Sequence, residues 1–181
     1  MWMKIHHAVS IRLRISFVLF LLALFSQTPG YAQITLPKVF GDNMVLQRGI
    51  AIPVWGNAAP GSLITAELGT VRTTVKTGKD GKWMVRFPKF QAGGPYTLKI
   101  SEAGRPDAGV ELKGILIGDV WLASGQSNME WQVQQAQDAR KEIENANFPQ
   151  VRFLVVEQDK QLKPQADIRA GKWEICDSAN V

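Results

Sequence analysis

The chain has 181 residues, 45% of them hydrophobic, and a formal charge of +5 from 21 Lys and Arg against 16 Asp and Glu. Three of those bases and none of the acids fall in residues 1–32, so the other 149 residues carry only +2 and leave no nucleic-acid footprint. Both histidines, His6 and His7, lie in the same stretch and Cys176 is the single cysteine, which excludes an internal disulfide and a zinc site from the remainder. No cofactor is expected.

Residues 1–32 read as an export signal. Lys4, Arg12 and Arg14 open it, and an apolar run of 11 residues, Ile15–Phe25, is interrupted only by Ser16. A polar stretch through Pro29 and Gly30 follows, and Gly30-Tyr31-Ala32 places small residues where a signal peptidase reads. The apolar run is shorter than the roughly 20 residues of a membrane span, which disfavours an anchor helix. Cleavage after Ala32 gives a mature chain from Gln33, secreted or periplasmic, with no membrane attachment afterwards.

From Gln33 to about Gly118 short strands alternate with turn residues. Ile50–Trp55 contains Pro53, which suits a sheet edge. Ile64, Ala66 and Leu68 alternate with Leu63, Thr65 and Glu67; Trp83, Val85 and Phe87 alternate with Met84 and Arg86; Tyr96, Leu98 and Ile100 alternate with Thr97, Lys99 and Ser101. Val110 and Leu112 repeat the pattern. Period-two alternation marks antiparallel sheets with one buried face. Asp80-Gly81 between Val71–Thr77 and Lys82–Phe87 predicts a hairpin. The expectation for residues 33–114 is an antiparallel, β-sandwich-like domain.

The pattern changes at Ile115. Ile115–Ile117 and Val120–Ala123 are near-continuous apolar runs, which reads as strand buried on both faces. Beyond Ser127 the apolar positions Met129, Val133, Ala136, Ala139, Ile143 and Ala146 recur at helical steps up to Pro149, and Val151–Val156 reads as another buried strand. Residues 158–171, with Lys160–Lys163 within them, read as solvated loop, and Lys172–Ile175 as one more short strand. The expected class is thus an α+β chain in two parts: the β domain, then residues 115–181 as the first βαβ of an incomplete α/β domain.

The candidate chemistry lies in Gly118-Asp119-Val120-Trp121-Leu122-Ala123-Ser124-Gly125-Gln126-Ser127-Asn128-Met129-Glu130-Trp131. A serine between a strand and a helix is exposed at the sheet's carboxyl edge, near unpaired backbone N–H groups of the helix start. Such a serine is either a nucleophile or a helix N-cap, and the residues alone leave both open. Gly125 relaxes the turn before it. Asp119 reads as fixing the turn ahead of the serine, and Glu130 as complementing the helix dipole. Core packing is the default for Trp55, Trp83, Trp121 and Trp173; Trp131, close to the serine, is the candidate for stacking on a substrate. Met129 replaces the second glycine of a Gly-x-Ser-x-Gly elbow.

The serine segment resembles the nucleophile block of the sialate O-acetylesterase family, within the SGNH/GDSL hydrolases. Val45-Leu46-Gln47-Arg48, Val54-Trp55-Gly56, Pro60-Gly61, Asp80-Gly81-Lys82-Trp83 and Gly93-Gly94-Pro95-Tyr96 are similar to that family's β domain. Ala146-Asn147-Phe148-Pro149, Val151-Arg152 and Gly171-Lys172-Trp173 follow in the family's order, so the likeness runs from about Leu36 to Val181. It implies an SGNH-type hydrolase domain and an exported carbohydrate O-acetylesterase acting on an acetylated sugar or sialic acid. It also implies that Ser127 is the nucleophile, with its own N–H as one oxyanion donor. The family's catalytic His and its acid belong to motifs not found among these residues, and Asn145, Asn147 and Asn180 do not match its later Asn motif. The chain is therefore expected to be an N-terminal fragment without turnover of its own. The rival reading is a secreted carbohydrate-binding β-sandwich with no catalysis, a module that has no need of the Gly125–Asn128 block.

Overall fold

A computed structural model describes residues 33–181; the expected export signal lies outside the described residues. Seven strands come first: β1 (Val45–Gln47), β2 (Ile52–Asn57), β3 (Leu63–Leu68), β4 (Val71–Lys76), β5 (Lys82–Phe87), β6 (Gly93–Glu102) and β7 (Arg105–Gly118). They are followed by 3-10 turns at Ser127–Glu130 and Val133–Gln135, helix α1 (Ala139–Asn145), and strands β8 (Asn147–Leu154) and β9 (Trp173–Asp177). Among the described residues no helix is long and apolar enough to cross a membrane.

One mixed sheet runs in the order β1-β7-β6-β3-β4, while β2 pairs with β5 and β8 with β9. The short β1 lies parallel to the end of β7; the other pairings in the five-stranded sheet are antiparallel. Alternation is realised as expected: Ile64, Ala66 and Leu68 of β3, Trp83, Val85 and Phe87 of β5, and Leu98 and Ile100 of β6 are all buried in one cluster. Ile52 and Val54 of β2 and Met44 join them, so the five-stranded sheet and the β2–β5 pair share a core. Thr65 is buried although it faces away from that core, because Thr74 of β4 and Ser101 of β6 flank it in mid-sheet.

Three expectations are corrected. Asp80-Gly81 does make a tight turn, with Gly81 at φ 79° and Gly78 N donating to Lys82 O at 2.8 Å. The strands on either side of it belong to different sheets, however, so it is a corner and not a hairpin. The hairpin that β4 makes is with β3, through the two-residue loop Gly69-Thr70, where Gly69 takes a left-handed φ of 59°.

The second correction concerns Ile115–Ile117. Ile115 and Ile117 are buried in the core and Leu116, on the other face, is half-buried, and the three form the end of β7 in the five-stranded sheet. The near-continuous apolar character comes from being a central strand, bonded to β1 on one side and β6 on the other.

The third concerns the α/β pattern. Val120–Ala123 is not a strand, and the single helix expected from Ser127 to Ala146 is divided into two 3-10 turns and the seven-residue α1. An apolar stripe stabilises a helix only where it lies on a surface. Here Met129 is exposed and Asp138 enters the left-handed region at φ 57°, which stops α1 from extending toward the serine. Val151, Val155 and Val156, expected in a buried strand, are exposed, and β8 pairs antiparallel with β9.

Candidate functional site

The site begins where β7 ends. Arg48, just after β1, donates from its backbone N to Gly118 O at 2.9 Å. Its Nε and Nη2 donate to the two carboxylate oxygens of Asp119 at 2.8 and 3.0 Å, a bidentate pair. Val120 N donates to Gln47 Oε1 at 2.9 Å. The two blocks Val45–Arg48 and Gly118–Val120, about 70 residues apart in sequence, are therefore joined side by side. Asp119 acts through this long-range pair and not through the local turn that was expected of it. The hydrogen bond from the Arg48 guanidinium holds the Asp119 carboxyl below its usual range, and the same bond raises Arg48.

From Val120 to Gln126 the chain has no regular structure and is exposed, Trp121 at 88% and Leu122 at 94%. Ser127 then opens the 3-10 turn Ser127–Glu130, closed by Met129 N donating to Gln126 O at 2.8 Å. The N-cap is Gln126, so Ser127 is the first residue of the turn and not its cap. First-turn N–H groups have no intrahelical partner, which leaves the amide at Ser127 open to an oxyanion. Gly125 is not in the left-handed region; a Cβ there would lie 2.6 Å from Met129 Cγ, so close approach is what the position requires. Glu130 accepts a hydrogen bond from the Gln158 side chain, which ties the turn to the loop after β8.

The loop and the start of β9 are themselves tied to Lys38 and Val39. Lys38 N donates to Asp167 Oδ1 at 2.9 Å, Lys38 Nζ to Arg169 O at 2.6 Å, and Trp173 Nε1 to Val39 O at 2.8 Å. Both flanks of the serine turn are thus connected to residues 38–48. An apolar groove of about 230 Å³ lies at the same place, lined among others by Phe40, Gln47, Trp55, Val120 and Trp173. Phe40 and Trp55 meet edge to face at 4.7 Å.

The tryptophans divide by environment. Trp83 is core, Trp55 and Trp173 are half-buried in the groove walls, and Trp121 and Trp131 are exposed. Trp131 sits immediately after the serine turn, at 65% exposure. Cys176 is half-buried in β9. No cluster of three or more His, Cys, Asp or Glu that could hold a metal occurs among the described residues. In the sequence Gln47 and Arg48 stand only within a motif, and nothing local to them signals that their distant partners are Asp119 and Val120.

No protein-family model matches the chain. The chain is 33% identical over 152 residues to the sialate O-acetylesterase of Pongo abelii, covering 77% of this chain and 29% of the relative. It is 34% identical over 125 residues to that of Homo sapiens, covering 64% of this chain and 24% of the relative. The crystal structure of a carbohydrate acetylesterase from Xanthomonas citri matches with a TM-score of 0.78 and 39% identity, over 81% of this chain and 33% of that one. The chain thus spans about a quarter to a third of the length of the relatives it matches. On sequence and on structure together, this chain belongs to the sialate O-acetylesterase family.

Proposed function

We propose that the chain carries the nucleophile-bearing part of an exported carbohydrate O-acetylesterase. The observation that supports this most is an exposed serine, Ser127, opening a turn with free amides, within a chain similar to a carbohydrate acetylesterase over 81% of its length. Ser127 Oγ attacks the carbonyl carbon of an acetyl ester on a sugar hydroxyl. The ester C–O bond breaks, the sugar oxygen leaves with a proton, and water hydrolyses the acetyl-enzyme to acetate and free serine. The N–H of Ser127 donates to the oxyanion, and Trp131 offers a face to the sugar ring.

Residues 33–181 contain no histidine, so the base that takes the serine proton lies elsewhere in the catalytic assembly. The β domain closes with β7 at Gly118, and the segment from Asp119 onward belongs to an SGNH-type hydrolase domain of which these residues form the opening part. Residues 1–32 are the export signal, and a secreted product beginning at Gln33 on mass spectrometry is the expected outcome; a product retaining Met1 counts against export.

The test is a chimera in which residues 33–181 replace the matching part of the Xanthomonas citri enzyme. It should release acetate from an acetylated sugar, and Ser127→Ala in it should abolish release. Full activity of the Ser127→Ala chimera would overturn the nucleophile assignment.

A further inference from the structure

The stretch that carries Ser127 is bare between its two attachments. Downstream, Glu130 is bonded to Gln158; upstream, four hydrogen bonds join residues 118–120 to Gln47 and Arg48; between them residues 121–126 are exposed and irregular. The upstream bonds do more than continue a sheet. The β1–β7 register, Val45↔Leu116 to Gln47↔Gly118, is already set by three residue pairs and by burial of Leu46, Ile115 and Ile117. The Arg48–Asp119 pair lies beyond the last of these pairs, with side chains 48% and 52% exposed. An ion pair at that exposure adds little to folding. Its two-pronged form, by contrast, fixes both the separation and the plane of the two groups, which a single charge contact does not.

A pair with little to give to stability, just past a short edge strand, where the serine segment leaves the sheet, has a geometric role. We propose that Arg48 and Asp119 are positioning residues for Ser127: they set the register and heading with which residues 120–126 leave β7, and so the place of the serine turn. This rests on the reading of Ser127 as the nucleophile, and its first test needs no catalysis.

Hydrogen exchange of the full chain followed by NMR provides that test. Asp119→Asn and Arg48→Lys should each speed exchange of the two hydrogen-bonded amides of the segment, Val120 and Met129, by about tenfold or more. Amides of β3 and β6 should keep their rates, and the melting temperature should move by less than about 4 °C. Arg48→Lys keeps the charge and loses the fork, so an effect equal to that of Asp119→Asn is the signature of geometry. The reversed pair, Arg48→Asp with Asp119→Arg, should restore slow exchange. In the chimera, Asp119→Asn should lower kcat by about 10- to 100-fold with KM unchanged. Unchanged exchange at Val120 and Met129, a loss of protection that extends to β3 and β6, or an unchanged kcat would each overturn the proposal. Activity surviving in the Ser127→Ala chimera, with the exchange results as expected, would instead remove the nucleophile reading and leave the ordering of the segment standing.

Discussion

Asp119 titrates in the shadow of Arg48. The guanidinium bond lowers the carboxyl below its ordinary value, and partial desolvation opposes that shift without reversing it. A group whose pKa is depressed on folding contributes while it is ionised above its unfolded pKa, and loses that contribution as pH falls through the folded value. The clamp should therefore persist at neutral pH and through the ordinary carboxylate range near 3.9, and open only below it. An NMR titration of the Asp119 carboxyl carbon together with the Arg48 Nε–H should show both changing at one midpoint, below that of an unpaired aspartate. Gly56 gives a second expectation at this scale. A Cβ there would lie 2.2 Å from Thr35 O and 2.9 Å from Trp83, the first being backbone in the Thr35↔Asn57 bridge. Gly56→Ala should cost about 1–3 kcal/mol in urea unfolding, because neither neighbour can retreat without breaking that bridge or disturbing the core.

Among the elements, strands that bury a face were legible from the sequence, as was the short β9 expected at Lys172–Ile175, whereas the strand at Val120–Ala123 and the long helix after Ser127 were misread. β3, β5 and β6 carry period-two alternation because one face meets a core: Ile64, Ala66, Leu68, Trp83, Val85, Phe87, Leu98 and Ile100 are buried, and Tyr96 on the same face is half-buried. The Asp80-Gly81 turn was legible as a turn, but local residues do not say whether the strands beside it pair with each other. That is settled by β3 and β2, which capture β4 and β5 separately. The helical stripe from Met129 to Ala146 has the right spacing and little to lie against: of its members only Ala146 is buried. The segment that carries Ser127 stood out by its motif, whereas the Arg48–Asp119 pair just ahead of it did not, since the pair spans 71 positions. The same contrast predicts where the chain is stable. Phe87→Ala, at a fully buried β5 position, should cost about 3–5 kcal/mol by urea unfolding. Limited proteolysis should cut first between Ser124 and Val181 and leave the β domain; equal resistance of both parts would contradict this.

At the level of the whole molecule, burial and chemistry are separated along the chain. Residues 34–117 bury a continuous core, while Trp121, Leu122, Met129, Trp131, Phe148, Val151 and Val155 beyond them are all more than half exposed. So much apolar surface on one stretch marks a part that packs against something further. A neutral serine hydroxyl is a weak nucleophile, and attack on an ester needs a base to remove its proton as the bond forms. Residues 33–181 hold no histidine, and the Asp and Glu nearest Ser127 in sequence are hydrogen-bonded elsewhere, Asp119 with Arg48 and Glu130 with Gln158. Each oxyanion donor contributes about 10²–10³ in rate, and only the Ser127 turn supplies one here. The expectation is that residues 33–181 alone release acetate from an acetylated sugar no faster than buffer does. The chimera with the Xanthomonas citri enzyme should release it by way of Ser127. Turnover by residues 33–181 alone, lost on Ser127→Ala, would show that the base lies within them and would refute the histidine argument.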